Sequence, residues 1–306
     1  MMKPTHTPSR WLLALAVCAA VSVTTSSQAG SDLAAKAPKN PVPAAVDWKE
    51  HTISPVANPI FFEDPIIRSE IRPIFAYHRI DPGFVTGDGD AELYALQLRY
   101  AITDRLAFIA VQDGYFDIHT EGLGDLNGWM DVAAGFKYAL IDDTANQFIL
   151  TPGFTFFIPL GSEEVFQGRG SGEWNVFVSA EKGFDDFHLT SNVGLRFPND
   201  TDEQSTILHY SLQADYYVSQ WFIPFVVANG WTVLADGNGI PIDSEGYDVI
   251  NFGSSASSGT TQMTVGGGFR SRIMSNVDIG IAYEKAVISP EGLTDDRFTF
   301  DVSIRF

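Results

Sequence analysis

From about residue 68 onward the chain alternates, position by position, between apolar and polar side chains. The last ten residues, RFTFDVSIRF, show the pattern in its simplest form: Phe298, Phe300, Val302, Ile304 and Phe306 are apolar, and Arg297, Thr299, Asp301, Ser303 and Arg305 are polar. A period of two describes a strand with one apolar and one polar face. The same reading predicts twelve strands, at 68–80, 91–103, 105–118, 129–140, 146–160, 172–182, 186–198, 206–218, 221–234, 260–273, 276–288 and 295–306. No helical periodicity appears in any of them, and almost every break carries Gly, Asp or Asn. Such strands exceed the average of about 5–6 residues in globular sheets and match the ~9–11 tilted residues that cross a bilayer.

The connections alternate in length. Thr103–Asp104, the stretch 141–145, Phe184–Asp185, Ser219–Gln220 and Ser275–Asn276 are tight turns, whereas 81–90, 119–128, 161–171, 199–205, 235–259 and 289–294 are longer. Short turns at one end, long loops at the other and an even strand number predict an all-β transmembrane antiparallel up-and-down β-barrel, with both termini on the short-turn, periplasmic side. Charges segregate accordingly. Met263, Val265, Phe269 and Ile273 oppose Arg270 and Arg272; Val277, Ile279, Ile281 and Tyr283 oppose Asp278 and Glu284. Met130, Val132, Ala134, Phe136 and Tyr138 oppose Asp131 and Lys137, and Phe187, Leu189, Val193, Leu195 and Phe197 oppose His188 and Arg196. A charge on the lipid face would cost about 2–4 kcal/mol at mid-membrane. A soluble sandwich would have to bury twelve long apolar faces and gives no reason for alternating loop lengths. The strand 221–234 is apolar on both faces, so alternation assigns it no register. Aromatic residues fall at both expected interfaces: Tyr94, Trp129, Trp174, Tyr210 and Trp231 near the long loops, and Tyr100, Tyr138, Tyr216 and Trp221 near the short turns.

Ahead of the barrel the chain reads differently. Lys3 and Arg10 precede an apolar run, Trp11 to Val23, and a small-x-small site at Ser27–Ala29, which predicts a secretory signal peptide over 1–29. Cys18 lies inside that run behind Val17, a poor lipoprotein context. It is the sole cysteine, so the exported part carries no disulfide framework or thiolate site. Residues 30–67 read as a Pro-rich periplasmic arm, extended or disordered, or a plug, and IFFEDP (Ile60 to Pro65) is apolar enough to dock in or under the lumen. The formal charge of −19 includes Lys3 and Arg10, leaving −19 − 2 = −21 after export, which argues against nucleic acid as a partner.

Three stretches in order carry a resemblance: YAITDRLAF (Tyr100 to Phe108), GWMDVAAGFKYAL (Gly128 to Leu140) and TPGFTFFIPLGS (Thr151 to Ser162). They resemble the outer-membrane family of the MetA-pathway of phenol degradation, whose members look like relatives of channels for hydrophobic compounds. Thr103, Asp104 and Arg105 would take that family's turn, Asp131 its acidic position, Gly135, Lys137 and Tyr138 the next strand end, and Pro159 and Gly161 a strand terminus. Met130 departs from the pattern, which has glycine there. The resemblance implies a barrel over 68–306 that admits small hydrophobic or aromatic compounds by diffusion. Phe306 similarly resembles the C-terminal aromatic signal read by barrel-assembly machinery.

The polar face supplies the candidate lumen residues: Glu70, Arg72, His78, Arg99, Asp131, Lys137, Glu173, Glu181, His188, Arg196, His209, Asp215, Arg270, Arg272, Asp278, Glu284, Arg297, Asp301 and Arg305. They would either tune which solutes pass or fill the interior with ion pairs. Twelve strands stand between the ~8 that side chains fill and the ~16–18 that leave an open channel, so a narrow passage is expected. His209 and Ser211 share a face, yet no third group orients them as a hydrolase site requires. Acidic loop clusters such as Glu163–Glu164 and Asp295–Asp296 would form a solvated rim toward lipopolysaccharide, without a Ca²⁺-loop spacing. Gly266–Gly268 reads as a bend or thin spot in the wall. No cofactor, metal or nucleotide motif occurs. The expected function is an outer-membrane channel for small solutes; the alternatives are a lipid-acting enzyme and a structural or adhesive barrel.

Overall fold

A computed structural model describes residues 47–288 and 292–306. The expected signal peptide, and the arm as far as residue 46, lie outside the described residues. Fifteen strand segments occur among those described: β1 Glu70–Ile80, β2 Gly89–Ala101, β3 Leu106–Gln112, β4 Tyr115–Thr120, β5 Gly124–Trp129, β6 Val132–Tyr138, β7 Ile141–Asp143, β8 Phe148–Ile158, β9 Glu173–Phe184, β10 Phe187–Pro198, β11 Thr206–Tyr216, β12 Ile223–Ala235, β13 Thr261–Met274, β14 Val277–Ala286 and β15 Asp296–Arg305. β3 and β4 make one interrupted stave, and β5, β6 and β7 another, so the segments amount to twelve antiparallel staves. β1 pairs with β2 on one side and with β15 on the other, Glu70 opposite Arg305, and the sheet closes into a barrel; only the short segments β5 and β7 pair on one side alone.

The interruptions have local causes. β2 pairs with β4 as far as Tyr94 and with β3 from Leu98. Between them Gly114 turns at φ +121, and a Cβ there would lie 2.3 Å from the Tyr94 carbonyl. Side chains replace the missing ladder bonds: the Leu96 N–H donates to Asp113 Oδ1 (2.8 Å), and Gln97 Nε2 donates to the Val111 carbonyl (2.6 Å). On the next stave the break falls at Met130 and Asp131. Asp131 Oδ1 accepts from the N–H groups of Gly161 and Gly168, both at 2.8 Å, and so ties down the loop that follows β8. The break also shifts the phase. Met130 turns inward and is buried, contrary to its expected place on the outer face beside Val132 and Phe136.

Two further expectations need correction. The predicted 119–128 loop contracts to Glu121–Leu123, because the polar stretch Gly124–Trp129 pairs with β4 despite lacking apolar alternation. Trp231 does not join an interface belt: it is buried against Ile207, Val233 and Tyr247, under an inward-folded loop. Elsewhere the apolar register stands on the outer face; Tyr94, Trp129, Tyr100, Tyr138, Tyr216 and Trp221 are exposed. The ambiguous β12 turns Ile223, Phe225 and Val227 inward, where they pack on Ile53, Val56, Ala57 and Phe62 of the segment preceding β1.

Candidate functional site

That preceding segment, residues 47–67, runs inside the barrel. Its start is fixed at the short-turn end: Lys49 Nζ meets Asp142 at 2.6 Å, and the His51 ring stacks on Tyr217 (3.9 Å) while its Nδ1 lies 2.7 Å from Asp186. Pro55, Pro59 and Pro65 remove backbone donors and prevent regular pairing, so the carbonyls of this strap need partners from outside it. The polar inner wall supplies them. Arg270 Nε donates to the Ser54 carbonyl (3.2 Å), Arg72 to that of Pro55, Gln97 Nε2 to Pro59 (2.8 Å) and Thr151 Oγ1 to Pro65 (2.7 Å). Asn58 Nδ2 donates to Ser211 Oγ at 3.2 Å.

The strap's two carboxylates meet the wall's cations. Glu63 accepts from Arg99 through Nε (2.9 Å) and Nη2 (2.6 Å), and from Lys137 Nζ (2.7 Å). Asp64 accepts from Arg68 Nη2 at 3.2 Å, and its carbonyl accepts from Lys137 Nζ at 2.8 Å. All four of Glu63, Asp64, Arg99 and Lys137 are buried. Next to this clamp the Phe61 ring stacks near Phe157 (5.8 Å) and His209 (5.0 Å), with the Arg196 guanidinium 4.7 Å above it.

The remaining sequence-derived residues pair mostly with one another. Arg72 and Arg270 share Asp301 at 2.7 and 2.8 Å, and Arg99 also reaches Glu70 at 3.2 Å. Arg196 holds Glu173 (2.5 Å), Arg297 holds Glu284 (2.9 Å), and His188 Nδ1 lies 2.9 Å from Asp215. His78 Nδ1 lies 3.2 Å from Thr294 Oγ1. Arg272 and Arg305, only half-buried at the short-turn end, converge on Asp278. Neither carboxylate oxygen of Glu181 has a hydrogen-bond partner among the described residues. His209 Nε2 engages Asn175 (2.7 Å), and Ser211 engages the strap, so the two do not address each other. Among the described residues no three His, Cys, Asp or Glu converge as metal ligands would.

The long-loop end is closed by the β12–β13 connection, which folds inward. Tyr247, Val249, Ile250 and Phe252 are buried; Asn251 Nδ2 donates to Glu173 (2.6 Å), Gln167 Nε2 to the Val249 carbonyl (3.1 Å), and Asp248 pairs with Arg297. Glu245 organises this lid, accepting from Ser205 Oγ (2.9 Å) and from the N–H groups of Gly246, Phe252 and Ser254. Burial pushes its carboxyl above the usual range, and those four donors pull it only part of the way back. Beneath the lid, a cavity of about 20 Å³ among Asp131, Phe157, Gln167, Glu173 and Arg196 has room for about one water.

Sequence reasoning located the wall residues through their alternation. It did not pair Glu63 with Arg99, since they stand 36 positions apart and no periodicity links them. The usable signal was the acidic pair inside an apolar, Pro-bounded stretch.

No family model matches the chain, and no curated protein matches it. Solved structures do. An outer-membrane channel from Pseudomonas putida F1 is 17% identical over 83% of this chain and 100% of that one, with a TM-score of 0.54. The NanC porin is 9% identical over 78% of this chain and 100% of its own, with a TM-score of 0.49. The translocator domain of the autotransporter NalP from Neisseria meningitidis is 13% identical over 78% and 88%, with a TM-score of 0.47. The Pseudomonas similarity carries the fold, a closed twelve-stave antiparallel barrel; the resemblance in short motifs to the phenol-degradation family gains no support beyond that.

Proposed function

We propose that this chain is an outer-membrane channel for passive uptake of small hydrophobic or aromatic solutes, held shut by its own strap and lid. One observation carries the reading: donors from Gln97, Arg99, Lys137, Thr151 and Arg270, on strands β2, β6, β8 and β13, reach one continuous segment, residues 47–67, inside the barrel. A barrel of twelve strands is wider than the ~8-stranded ones that wall side chains fill. Here a segment that belongs to no barrel strand occupies the space, which suits a passage that opens when that segment moves. The aromatic slot around Phe61 supports an aromatic solute. The apolar outer face would meet outer-membrane lipid, the loops would meet lipopolysaccharide, and barrel-assembly machinery would insert the chain. For the enzymatic alternative, His209 and Ser211 offer no shared geometry.

The strap is the element to test. Replacing Asn58 and Ser211, whose side chains already touch, by cysteines creates a reversible lock in a chain whose sole cysteine is Cys18. In planar bilayers, oxidation should lower ion conductance at least about tenfold and reduction should restore it, while deletion of 47–67 should raise it. Conductance indifferent to both changes would refute the gate.

A further inference from the structure

We propose that Arg99 and Lys137 form a carboxylate-binding subsite for the transported solute, occupied in this structure by the chain's own Glu63, and that Phe61 fills an adjoining slot for the solute's aromatic body. The inference rests on the channel reading and names the class of solute: an aromatic or aryl-alkyl carboxylate.

The clamp is built to hold a planar anion. Arg99 presents Nε and Nη2 side by side to both oxygens of Glu63, while Lys137 Nζ approaches Oε1 at 2.7 Å. This is the fork geometry that favours carboxylate over a point anion. Wall groups fix Arg99 without help from the strap: Nη1 lies 3.2 Å from Glu70, and Gln97 Oε1 accepts from Nη1 and Nη2 at 3.1 Å. The aromatic slot is likewise fixed by the wall, since His209 is held by Asn175 and Arg196 by Glu173. Arg99 and the aromatic slot would therefore keep their places on withdrawal of the strap, while Lys137, whose partners are Glu63 and Asp64, would be released for an incoming anion.

Withdrawal alone would take from Lys137 its bonds to Glu63 and Asp64 and leave Arg99 with Glu70 and Gln97 only, with nothing in their place. The strap therefore leaves by exchange: an incoming carboxylate replaces Glu63, and its aryl group replaces Phe61. An uncharged analogue of the same shape cannot drive that exchange.

The test measures ion current through the full chain in planar bilayers, with 4-phenylbutyrate or 4-phenylbutanamide added. The acid should alter the current at a concentration about tenfold below the amide, the size of one charge-assisted hydrogen bond. Glu63→Gln weakens the internal competitor and should lower the acid's half-effect concentration about tenfold further. Arg99→Lys keeps the charge, loses the fork and should bring acid and amide together; read against wild type, it decides the matter even where Glu63→Gln fails to fold. Current with equal acid and amide effects in the wild type would overturn this inference and leave the channel standing. No current even after deletion of 47–67 would remove the channel reading and this inference with it.

Discussion

At the scale of the residue, the lumen is governed by the cost of a buried charge without a partner. Seventeen of the nineteen sequence-derived residues are buried, and most meet an opposite charge or a hydrogen-bond partner within about 3 Å. Removing one member of such a pair is strongly destabilising, by about 3–5 kcal/mol in a dry site. Glu245 offers a cleaner test because it lies in the lid, outside the barrel strands. Its carboxyl is raised by burial, so the folded lid binds a proton more readily than the unfolded one. The stability it contributes is therefore full below the ordinary glutamate value of about 4.3 and is lost as pH rises through the raised value. Limited proteolysis within 237–259 should proceed faster at pH 7 than at pH 4, after correction for protease activity. Glu245→Gln should flatten that dependence, and equal cleavage of the wild type at both pH values would count against it.

At the scale of the element, β12 and β13 show how the strap shapes the wall around it. β12 is apolar inward because Ile223, Phe225 and Val227 face the strap's Ile53, Val56 and Phe62 and not water. Opposite it, Gly268 leaves space for the Phe225 ring: a Cβ there would lie 2.8 Å from Phe225 Cζ and 1.9 Å from the Ile281 carbonyl. Gly268→Val should therefore destabilise the barrel by at least about 1–3 kcal/mol, the usual cost of overpacking. A urea titration in detergent, followed by the heat-modifiable gel shift of a folded barrel, would show the midpoint fall. An unchanged midpoint would mean that the two strands part more easily than their hydrogen bonds suggest.

At the scale of the whole molecule, closure of β1 on β15 and β2 joins the two ends of the sheet and turns one face of every stave outward together. Val226 is 64% exposed on that outer face, while its neighbour Val227 is buried inside. Val226→Arg should cost about 2–4 kcal/mol if that face lies near the bilayer midplane, measured as lost folding yield in lipid vesicles. Folding into detergent micelles, which accommodate the charge more readily, should suffer less. Equal yields in both would contradict a lipid-facing wall.

Much of this architecture could be read from the chain. Alternation located most of the twelve staves, because a wall with one apolar and one polar face imprints a period of two on its strands; β5 and β12 do not carry it. Turn residues set most connections, and charge placement oriented the wall residues. Where the period failed, the cause was a contact distant in sequence. Met130 turned inward because Asp131 caps a loop some 30 residues on. Trp231 was buried because the lid carrying Tyr247 folds over it. β12 lacked a readable face because the strap meets it. The sequence by itself thus determined the staves, the inward and outward faces of those that alternate, and the acidic, Pro-bounded segment ahead of them. Only the tertiary structure decided that Glu63 meets Arg99 and Lys137, that Phe61 lies beneath Arg196, and that strap and lid close the lumen. Periodicity is a local record of which side of a wall a residue faces, whereas those pairings depend on what else the closed barrel brings inside.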